Sequence, residues 1–512
     1  MNIAHSPLFK PVLWEGNGFK ILDETLIPER IEYIAITEIS QAVEAVREMR
    51  TRAFGQVLTF LYSGALLAED YRGKEAELLR GEIEEMTRQF CAARPTFDFD
   101  GLSRFFFKAF GELPAGADAG DWIATQARRF AAQIITARQA RAKRTALILP
   151  SPARVLTHCN ISGEMVAVAQ YCREMGKEMS VIATETRPYL QGTRLTAWEL
   201  SNASVSVSLI PDCAIAQVMA RGDVNAVVVG SDRCARNGDI INKVGTYPLA
   251  LMAKEYGVPF FALVQDPGPL MHGDEVAIEE RSTDELLRFQ RQPLVADGED
   301  KLAGRYPAFD VTPSSLINQL IGFDDLFTPE SFRERYLNSP LPVARSKQEL
   351  AEKYLLIYGA PKKDSYAFLA HALKAEQAER ILVPEMRPEL WGARTVAPEL
   401  LRRDVPTTLI SDNMMGTFFA HGQIRQLYLF YSGLSETGPS GICGSLLAVR
   451  LAGAHGVPIE LLESDPSQEP FADRDVSTFL GKQVIPAEVA VYPLEKEVVP
   501  WALLETPQGA QS

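Results

Sequence analysis

The stretch TETRPYLQGTRLTAWEL, residues 184–200, decides the fold, because it returns in altered form as PEMRPELWGARTVAPEL at residues 384–400. The residues that recur unchanged 200 positions later are Glu185, Arg187, Pro188, Leu190, Gly192, Arg194, Ala197, Glu199 and Leu200. Self-similarity over a period of domain length indicates that a domain was duplicated, and not that short units form a solenoid.

Short apolar runs alternate with helix-length segments around each copy of this stretch. The first series reads ARVLTHC, SVIAT, VSVSLI, AVVVG and PFFALV, and the second reads KYLLIYG, ERILVPE, TTLIS, QLYLFYSG and PIELLE. Such alternation predicts a parallel sheet with helices on both faces. Ahead of the first series, residues 8–37 read as short strands, and residues 38–143 carry apolar side chains at helical spacing.

We therefore predict an α/β protein with three parts. Residues 1–145 form N-terminal strands and a helical domain, residues 146–338 a Rossmann-like parallel-sheet domain, and residues 354–512 a second, degenerate Rossmann-like domain. A charged stretch with prolines, from about Pro340 to Lys353, reads as a linker between the two sheet domains. The last strands read as QVIPA and VAVYPL, and the polar end is expected to fray.

Composition limits the class of protein. The chain has 512 residues, and its 52 basic against 66 acidic residues give a net charge of −14, which disfavours a nucleic-acid or anionic-membrane surface. The six cysteines form no CxxC pair or disulfide framework, which favours a reduced, cytoplasmic setting. The start lacks the pattern of a signal peptide, and the longest apolar run, residues 57–68, is too short to span a bilayer. No metal-ligand cluster is evident, and we expect no cofactor.

Cys159 follows the strand VLTH and precedes a predicted helix. A cysteine at a helix N-terminus lies at the positive end of the helix dipole, which favours the thiolate and makes this residue a plausible base or nucleophile. The alternative is an inert thiol in the core, which is the more frequent role of a lone cysteine beside a strand.

Other polar residues follow strands of the same predicted sheet. Asp232 comes after AVVVGS and could act as a general acid if burial raises its pKa, or could instead pair with Arg233 or cap a helix. Asn242 and Lys243 are predicted to open a helix, where an amide and an ammonium suit hydroxyl and phosphate oxygens, although either could be a solvated first-turn residue. Gln191 could bind a sugar hydroxyl or stabilise its own turn.

These side chains come from several strand ends, and one cleft at that edge of the sheet could gather them. A thiol, a carboxylic acid and several hydroxyl-binding groups suit proton transfer on a polyol. Aldose–ketose isomerisation is a reaction of this kind.

The sequence also resembles the methylthioribose-1-phosphate isomerase family, whose relatives include ribose-1,5-bisphosphate isomerases and regulatory subunits of translation initiation factor 2B. The matching lines are LTHCN, ATETRPYLQGTRLTAWEL, VVVGSDRCARNGDIINKVGTYPLALMAKEYGVPF and PAFDVTPSSLI, within residues 8–330. The resemblance implies a site between the helical and Rossmann-like domains, with Cys159 and Asp232 as the catalytic pair. It also implies that Gln191, Asn242 and Lys243 hold a small sugar-phosphate substrate.

The implied reaction begins when Asp232 protonates the ring oxygen and opens the furanose. Hydrogen then moves from C2 to C1, either through Cys159 as base or as a hydride shift, and the sequence leaves both routes open. The resemblance allows a different role as well, that of a non-catalytic sugar-phosphate or nucleotide-binding regulatory protein similar to initiation factor 2B subunits.

Two loops depart from the family pattern. The family's Arg-Gly-Ala-Pro-Ala loop is here Arg52-Ala53-Phe54-Gly55-Gln56, and its Arg-Pro-Thr-Ala-Val-Asn-Leu loop is here Arg94-Pro95-Thr96-Phe97-Asp98-Phe99-Asp100. Both arginines remain, so the resemblance implies that Arg52 and Arg94 bind substrate. The bulky Phe54 and the two new carboxylates predict that phosphate binding is rebuilt.

The second copy lacks the proposed polar set. At an offset of 200, Cys159, Gln191 and Asp232 correspond to Gly359, Trp391 and Ser432, and at an offset of 199 Asn242 and Lys243 correspond to Gly441 and Ile442. We expect this copy to be catalytically dead and to occupy the place of a partner subunit, which gives a pseudo-dimer within one chain. An independent domain on a linker, or a homo-oligomer, is the alternative.

Overall fold

A computed structural model describes residues 3–95, 97–295, 301–337, 352–465, 474–486, 488–494 and 496–504. The predicted linker falls mostly on residues 338–351, and the predicted frayed end on residues 505–512, which lie outside these ranges. No helix in the described ranges is long and apolar enough to cross a bilayer.

The N-terminal part contains a small antiparallel sheet and a helical bundle, as the sequence predicts. Its elements are β1 Val12–Glu15, β2 Gly18–Leu22, β3 Tyr33–Ile36, α1 Ile39–Arg47, α2 Ala53–Asp70, α3 Ala76–Ala93, α4 Phe99–Gly111 and α5 Ala119–Ile148. The rings of Phe60, Phe90 and Phe99 pack together in the core of the bundle at centroid distances of 5.2–5.3 Å. Helix α5 continues three residues beyond the predicted boundary at residue 145 and reaches the first large sheet.

The first large sheet follows α5. The elements from β4 to β10 are β4 Ala153–Thr157, α6 Glu164–Glu174, β5 Met179–Thr184, α7 Trp198–Asn202, β6 Ser206–Ile210, α8 Ile215–Ala220, β7 Ala226–Val229, β8 Arg233–Cys234, β9 Ile240–Lys243, α9 Thr246–Glu255 and β10 Phe260–Leu263. Strands β10, β7, β4, β5 and β6 lie in this order and are parallel. Burial on both faces explains why the strands read as continuous apolar runs.

A long connection leads to the second large sheet. It contains α10 Asp284–Leu287, β11 Arg288–Phe289, β12 Gln292–Pro293, β13 Ala303–Gly304, β14 Phe309–Thr312, β15 Gln319–Ile321, β16 Leu326–Phe327 and α11 Pro329–Tyr336. Strands β15 and β16 extend the first sheet beyond β10, and β14 pairs antiparallel with β9.

The second sheet uses the same strand order as the first. Its elements are β17 Tyr354–Tyr358, α12 Ser365–Ala375, β18 Arg380–Pro384, α13 Ala397–Leu401, β19 Thr407–Ile410, α14 Met415–Ala420, β20 Ile424–Tyr431, β21 Gly433–Leu434, β22 Pro439–Gly441, α15 Ser445–Ala454 and β23 Ile459–Glu463. The order β23-β20-β17-β18-β19 repeats β10-β7-β4-β5-β6. The tail adds β24 Thr478–Phe479, β25 Lys482–Gln483, β26 Ala490–Val491 and β27 Glu497–Val498.

The two halves exchange edge strands. Strand β13, which belongs to the first half in sequence, pairs with β19 of the second sheet, and β26 from the tail pairs with β6 of the first sheet. The partners are equivalent positions, because Ala303 lies beside Thr408 and Ala490 beside Ser208. Each half therefore contributes an edge strand to the sheet of the other half.

Buried ion pairs join the halves reciprocally. Arg187 donates to both carboxylate oxygens of Glu385 at 2.8 and 2.9 Å, and Arg387 donates to Glu185 at 3.0–3.2 Å. All four side chains are at most 1% exposed. Equivalent residues thus contact each other across the interface, as at a two-fold axis between identical subunits.

Candidate functional site

One cavity of about 70 Å³ collects the polar side chains singled out in the sequence. It lies where the helical bundle meets the carboxyl ends of the first sheet. We call it the reactive cavity; its lining includes Arg52, Arg94, Cys159, Gln191, Asp232, Asn242 and Lys243. The seven predicted site residues are therefore brought together, although they come from six separate stretches of sequence.

Cys159 lies two residues after β4 in a left-handed backbone conformation, with φ of 64°. Its Sγ donates to Oε1 of Gln191 at 2.8 Å, and its backbone N–H donates to Oγ1 of Thr186 at 2.9 Å. Burial raises the pKa of the thiol to about 11. The expectation that a helix dipole stabilises the thiolate is therefore wrong, since α6 begins only at Glu164 and loss of solvation dominates.

Asp232 lies in the loop between β7 and β8. Burial raises the pKa of its carboxyl, while Arg94 and Lys243 act in the opposite direction and lower it. Backbone hydrogen bonds hold Asp232 in place. Its N–H donates to the Ile241 carbonyl, and its carbonyl accepts from the Gln265 side chain at 2.9 Å. A carboxyl whose pKa is raised by burial and that borders a cavity is suited to donate a proton to a ligand.

Asn242 and Lys243 end strand β9 and do not open a helix, so that expectation is wrong. Gly245, with φ of 107°, separates them from α9, which begins at Thr246. In the antiparallel pairing with β14, Lys243 lies opposite Phe309, whose ring centroid is 4.9 Å from Nζ. Burial lowers the pKa of the Lys243 ammonium, and Cys159 and Asp232 raise it.

Three buried donors at the cavity have no hydrogen-bond acceptor within the described structure: Nε of Arg52, Nε of Arg94 and Nδ2 of Asn160. Arg52 caps α2, and its guanidinium lies 5.5 Å from the ring of Tyr189. Arg94 donates to Gln56, so the Gln that ends the altered loop orients this arginine. Buried donors without acceptors are costly unless a ligand satisfies them, and an anion or a polyol has the required oxygens.

The two altered loops keep their new side chains away from the reactive cavity. Phe54 stacks on Arg138, with the guanidinium carbon 3.7 Å from the ring centroid. Asp98 accepts from the backbone N–H of Gly101 at 2.9 Å and caps α4, and Asp100 accepts from Cys91. Phe99 is buried in the bundle. The expected repulsion between these carboxylates and a phosphate is thereby reduced, because neither one lines the reactive cavity; Thr96 lies outside the described residues.

Sequence reasoning missed Tyr189, Glu279 and Arg281, which also line the reactive cavity. Arg281 pairs with Glu279 at 2.9 Å and with Glu285 at 2.6 Å, and Tyr189 donates to Glu285 at 2.5 Å. Tyr189 lies inside the duplicated stretch, where its replacement by Glu389 was an available signal. The other two lie in the long connection, where no alternation of strand and helix marks a strand end.

The second half keeps the framework of the site without its chemistry. The backbone N–H of Gly359 donates to Sδ of Met386, which repeats the contact between Cys159 and Thr186 with a thioether in place of a hydroxyl. Asp310 accepts from the N–H groups of Gly245 and Tyr247, and Glu497 does the same for Gly444 and Leu446. The residues at the other equivalent positions are Trp391, Ser432, Gly441 and Ile442. In the described ranges of the whole chain, no group of three or more His, Cys, Asp or Glu side chains is arranged to hold a metal ion.

Comparison with known proteins assigns the chain to a family. The model of the initiation factor 2 subunit family matches residues 56–322 and 347–427. The chain belongs to this family. The resemblance found in the sequence is thus confirmed, and the second matched stretch falls on the second half.

Relatives and solved structures agree with this assignment. A methylthioribose-1-phosphate isomerase of Pelotomaculum thermopropionicum is 34% identical over 325 residues, which cover 60% of this chain and 88% of the relative. One from Desulforudis audaxviator is 35% identical over 327 residues, covering 60% and 91%. The crystal structure of 5-methylthioribose 1-phosphate isomerase from Pyrococcus horikoshii has a TM-score of 0.56 at 30% identity and covers 65% of this chain and 98% of that one. The delta subunit of translation initiation factor eIF-2B from A. fulgidus has a TM-score of 0.52 at 27% identity, covering 62% and 96%.

Proposed function

We propose that the protein is an aldose–ketose isomerase that acts on a ribose 1-phosphate-type sugar. The observation that carries this proposal is the meeting of the Cys159 thiol, the Asp232 carboxyl and three unsatisfied donors in one cavity. A protein that only binds a sugar phosphate or nucleotide needs the donors but neither the thiol nor the acid. The two relatives named as isomerases match this chain over most of their length, which favours an enzyme over a regulatory subunit.

In the proposed reaction, Asp232 protonates the ring oxygen as the bond from that oxygen to C1 breaks. Its raised pKa suits this step, because the carboxyl must carry the proton before the ring opens. Gln191, Asn242 and Lys243 hold hydroxyl and phosphate oxygens, and Arg52 and Arg94 complete the anion site. The chain's own residues supply all of these groups.

The hydrogen transfer has two forms. If Cys159 is the base, its thiolate removes the C2 proton to form an enol and returns that proton to C1, while the C2 hydroxyl passes its proton to the Asp232 carboxylate as the carbonyl forms. If a hydride shifts, the C2 hydrogen moves to C1 with its electron pair, and the C2 hydroxyl passes its proton to the Asp232 carboxylate as the carbonyl forms. A thiol with a pKa of about 11 is almost entirely protonated at neutral pH, which favours the hydride shift.

The test is to incubate the protein with a panel of pentose 1-phosphates, 5-methylthioribose 1-phosphate included, and to follow ketose formation by NMR in D₂O. We expect a ketose 1-phosphate without deuterium at C1. Deuterium at C1 would assign the transfer to exchange through a base, and the absence of ketose from every sugar would overturn the proposed function.

We further propose that residues 354–512 are a degenerate second copy of the Rossmann-like domain of residues 146–338, while residues 1–145 cover only the first copy. The shared strand order, the exchanged edge strands and the reciprocal Arg–Glu pairs support this division. The second copy takes the place of a partner subunit, so the chain is a pseudo-dimer. Sedimentation of the full chain should give a monomer of 56.6 kDa, and a stable dimer would count against the idea. We place the protein in the cytoplasm, where thiols such as its six free cysteines stay reduced.

A further inference from the structure

A second cavity, of about 620 Å³, opens directly from the reactive cavity. The two share a border that includes Arg94, Asn160, Asp232 and Asn242. We call the larger one the apolar cavity. Its volume falls within the roughly 300–1,000 Å³ that is usual for cavities holding drug-sized ligands, far more than a one-carbon substituent requires.

The wall of this cavity on the helical bundle carries apolar side chains between polar ones, which are Arg94, Asp98, Arg104, Gln133, Arg138 and Arg141. It carries side chains that remain only half-buried in the folded chain: Phe54, Val57, Phe97, Leu102, Phe130 and Ile134. The facing wall, from the first sheet and its connection, adds Val276, Ile278, Phe309 and Phe323. Apolar surface left open to water inside a cleft indicates a binding site for an apolar group.

The width of the apolar cavity is fixed by buried contacts between α5 and the first sheet. Arg141 donates to both oxygens of Glu164 at 2.7 Å and to the Val264 carbonyl at 2.6 Å. Arg144 donates to the Phe323 carbonyl at 2.7 Å. Closing the cleft onto a small sugar would break these bonds and leave buried charges without partners, which is unfavourable.

The arrangement of charges sets the direction in which a sugar phosphate lies. Arg138 and Arg141 of the apolar cavity are already paired with Glu164, whereas Arg52 and Lys243 border only the reactive cavity, so we place the phosphate on C1 there. Asp232 borders both cavities, so the ring oxygen lies at the junction. In a furanose, C4 and its C5 arm are on the side of the ring oxygen away from C1. The C5 arm therefore points into the apolar cavity.

We infer that the preferred substrate is a ribose 1-phosphate whose C5 carries an apolar group of ring size or larger, and not methylthio alone. This inference rests on the proposed isomerase function. Phe54 and Phe97, the bulky residues of the two altered loops, then serve as walls for the substituent. The phosphate-binding loops of the family pattern are rebuilt for specificity at C5.

The experiment compares kcat/KM for 5-benzylthio-5-deoxyribose 1-phosphate, 5-methylthioribose 1-phosphate and unsubstituted ribose 1-phosphate. We expect the benzylthio sugar to be at least about tenfold better than the methylthio sugar, since one buried methylene alone discriminates by roughly 10–200-fold. Equal values of kcat/KM for the two substituted sugars, or a higher value for the methylthio sugar, would overturn the inference without contradicting the isomerase function. Turnover of none of the three by folded protein would overturn the function itself.

A matched pair of variants tests whether the preference for the benzylthio sugar arises in the apolar cavity. Ala137→Phe, on the α5 wall, fills the apolar cavity and should lower the benzylthio-to-methylthio ratio of kcat/KM at least about tenfold. Ala132→Phe places the same ring on an exposed position of the same helix and should leave the ratio unchanged. A ratio that is unchanged in Ala137→Phe would show that the substituent does not enter this cavity.

Discussion

The two halves of this chain share one framework and differ at the positions where a sugar would react. His158 Nε2 lies 2.9 Å from the Val244 carbonyl, and at the equivalent place Tyr358 donates to the Cys443 carbonyl at 2.8 Å. Strand order, helix caps and interface pairs are likewise repeated. Packing and buried hydrogen bonds therefore maintain the framework in both halves. They do not depend on the thiol of Cys159, the carboxyl of Asp232 or the ammonium of Lys243.

The same comparison separates two kinds of residue in the duplicated stretch. Arg187 and Glu185 recur because each is half of a buried pair that joins the halves. Gln191 does not recur, because its partner, the thiol of Cys159, exists only in the first half. Recurrence of Glu185 and Arg187 thus reflects the interface between the halves, and Gln191 is lost where the reactive cavity lies.

The largest effect is expected from the catalytic pair. Asp232→Asn should lower kcat by about a hundredfold to ten-thousandfold, because a positioned acid contributes on this scale. Cys159→Ser should lower kcat on the same scale if Cys159 is the base, and less if a hydride shifts from C2 to C1. Ser432→Ala, at the position equivalent to Asp232, should leave kcat unchanged. Full rates in both first-half variants, measured on protein with an unaltered circular dichroism spectrum, would refute the assigned roles.

The next effect is on stability. Glu385→Gln leaves Arg187 buried without a charged partner, and Glu185→Gln does the same to Arg387, so each should lower the free energy of unfolding by about 3–5 kcal/mol. Glu399→Gln, which removes an exposed pair with Arg402, should cost at most about 1 kcal/mol. Urea titration measures all three. If Glu385→Gln and Glu185→Gln lowered the free energy of unfolding no more than Glu399→Gln, these pairs would not hold the halves together.

The smallest effect is a pH dependence that belongs to the first half. Burial lowers the pKa of His158 from 6.5 to about 4, so the unfolded chain binds this proton more tightly than the folded chain between those values. Its contribution, on the order of 3 kcal/mol, is present above pH 6.5 and is lost as the pH falls through 4. His158→Tyr, which copies the second half, should remove this component from urea unfolding measured between pH 4 and 7. An unchanged slope would assign the acid sensitivity to other groups.

Much of the fold was predictable because strands and helices leave periodic patterns. The apolar runs predict both parallel sheets. Because ligands bind at the carboxyl ends of parallel strands, the sequence also predicts that Cys159 and Asp232 border one cavity, as they do. Strand β26 lies within the predicted strand VAVYPL, but its pairing with the opposite sheet was not predictable, and the two residues of β13 carry no pattern. Asn242 and Lys243 were assigned to a helix start because β9 is a strand of only four residues directly before Gly245 and α9.

Electrostatics was the least predictable part of the site. The pKa of Cys159 depends on how much water the whole fold excludes, which the local sequence does not encode. Glu279 and Arg281 reach the cavity from a connection without regular alternation, so only the folded chain reveals them.

The most direct measurement is the crystal structure of the Asp232→Asn variant with 5-methylthioribose 1-phosphate. We predict the phosphate between Arg52 and Lys243, the ring oxygen within hydrogen-bond distance of residue 232, and Cys159 facing C1 and C2. A sugar bound in the second half, or one whose ring lies out of reach of both residue 232 and Cys159, would contradict the account.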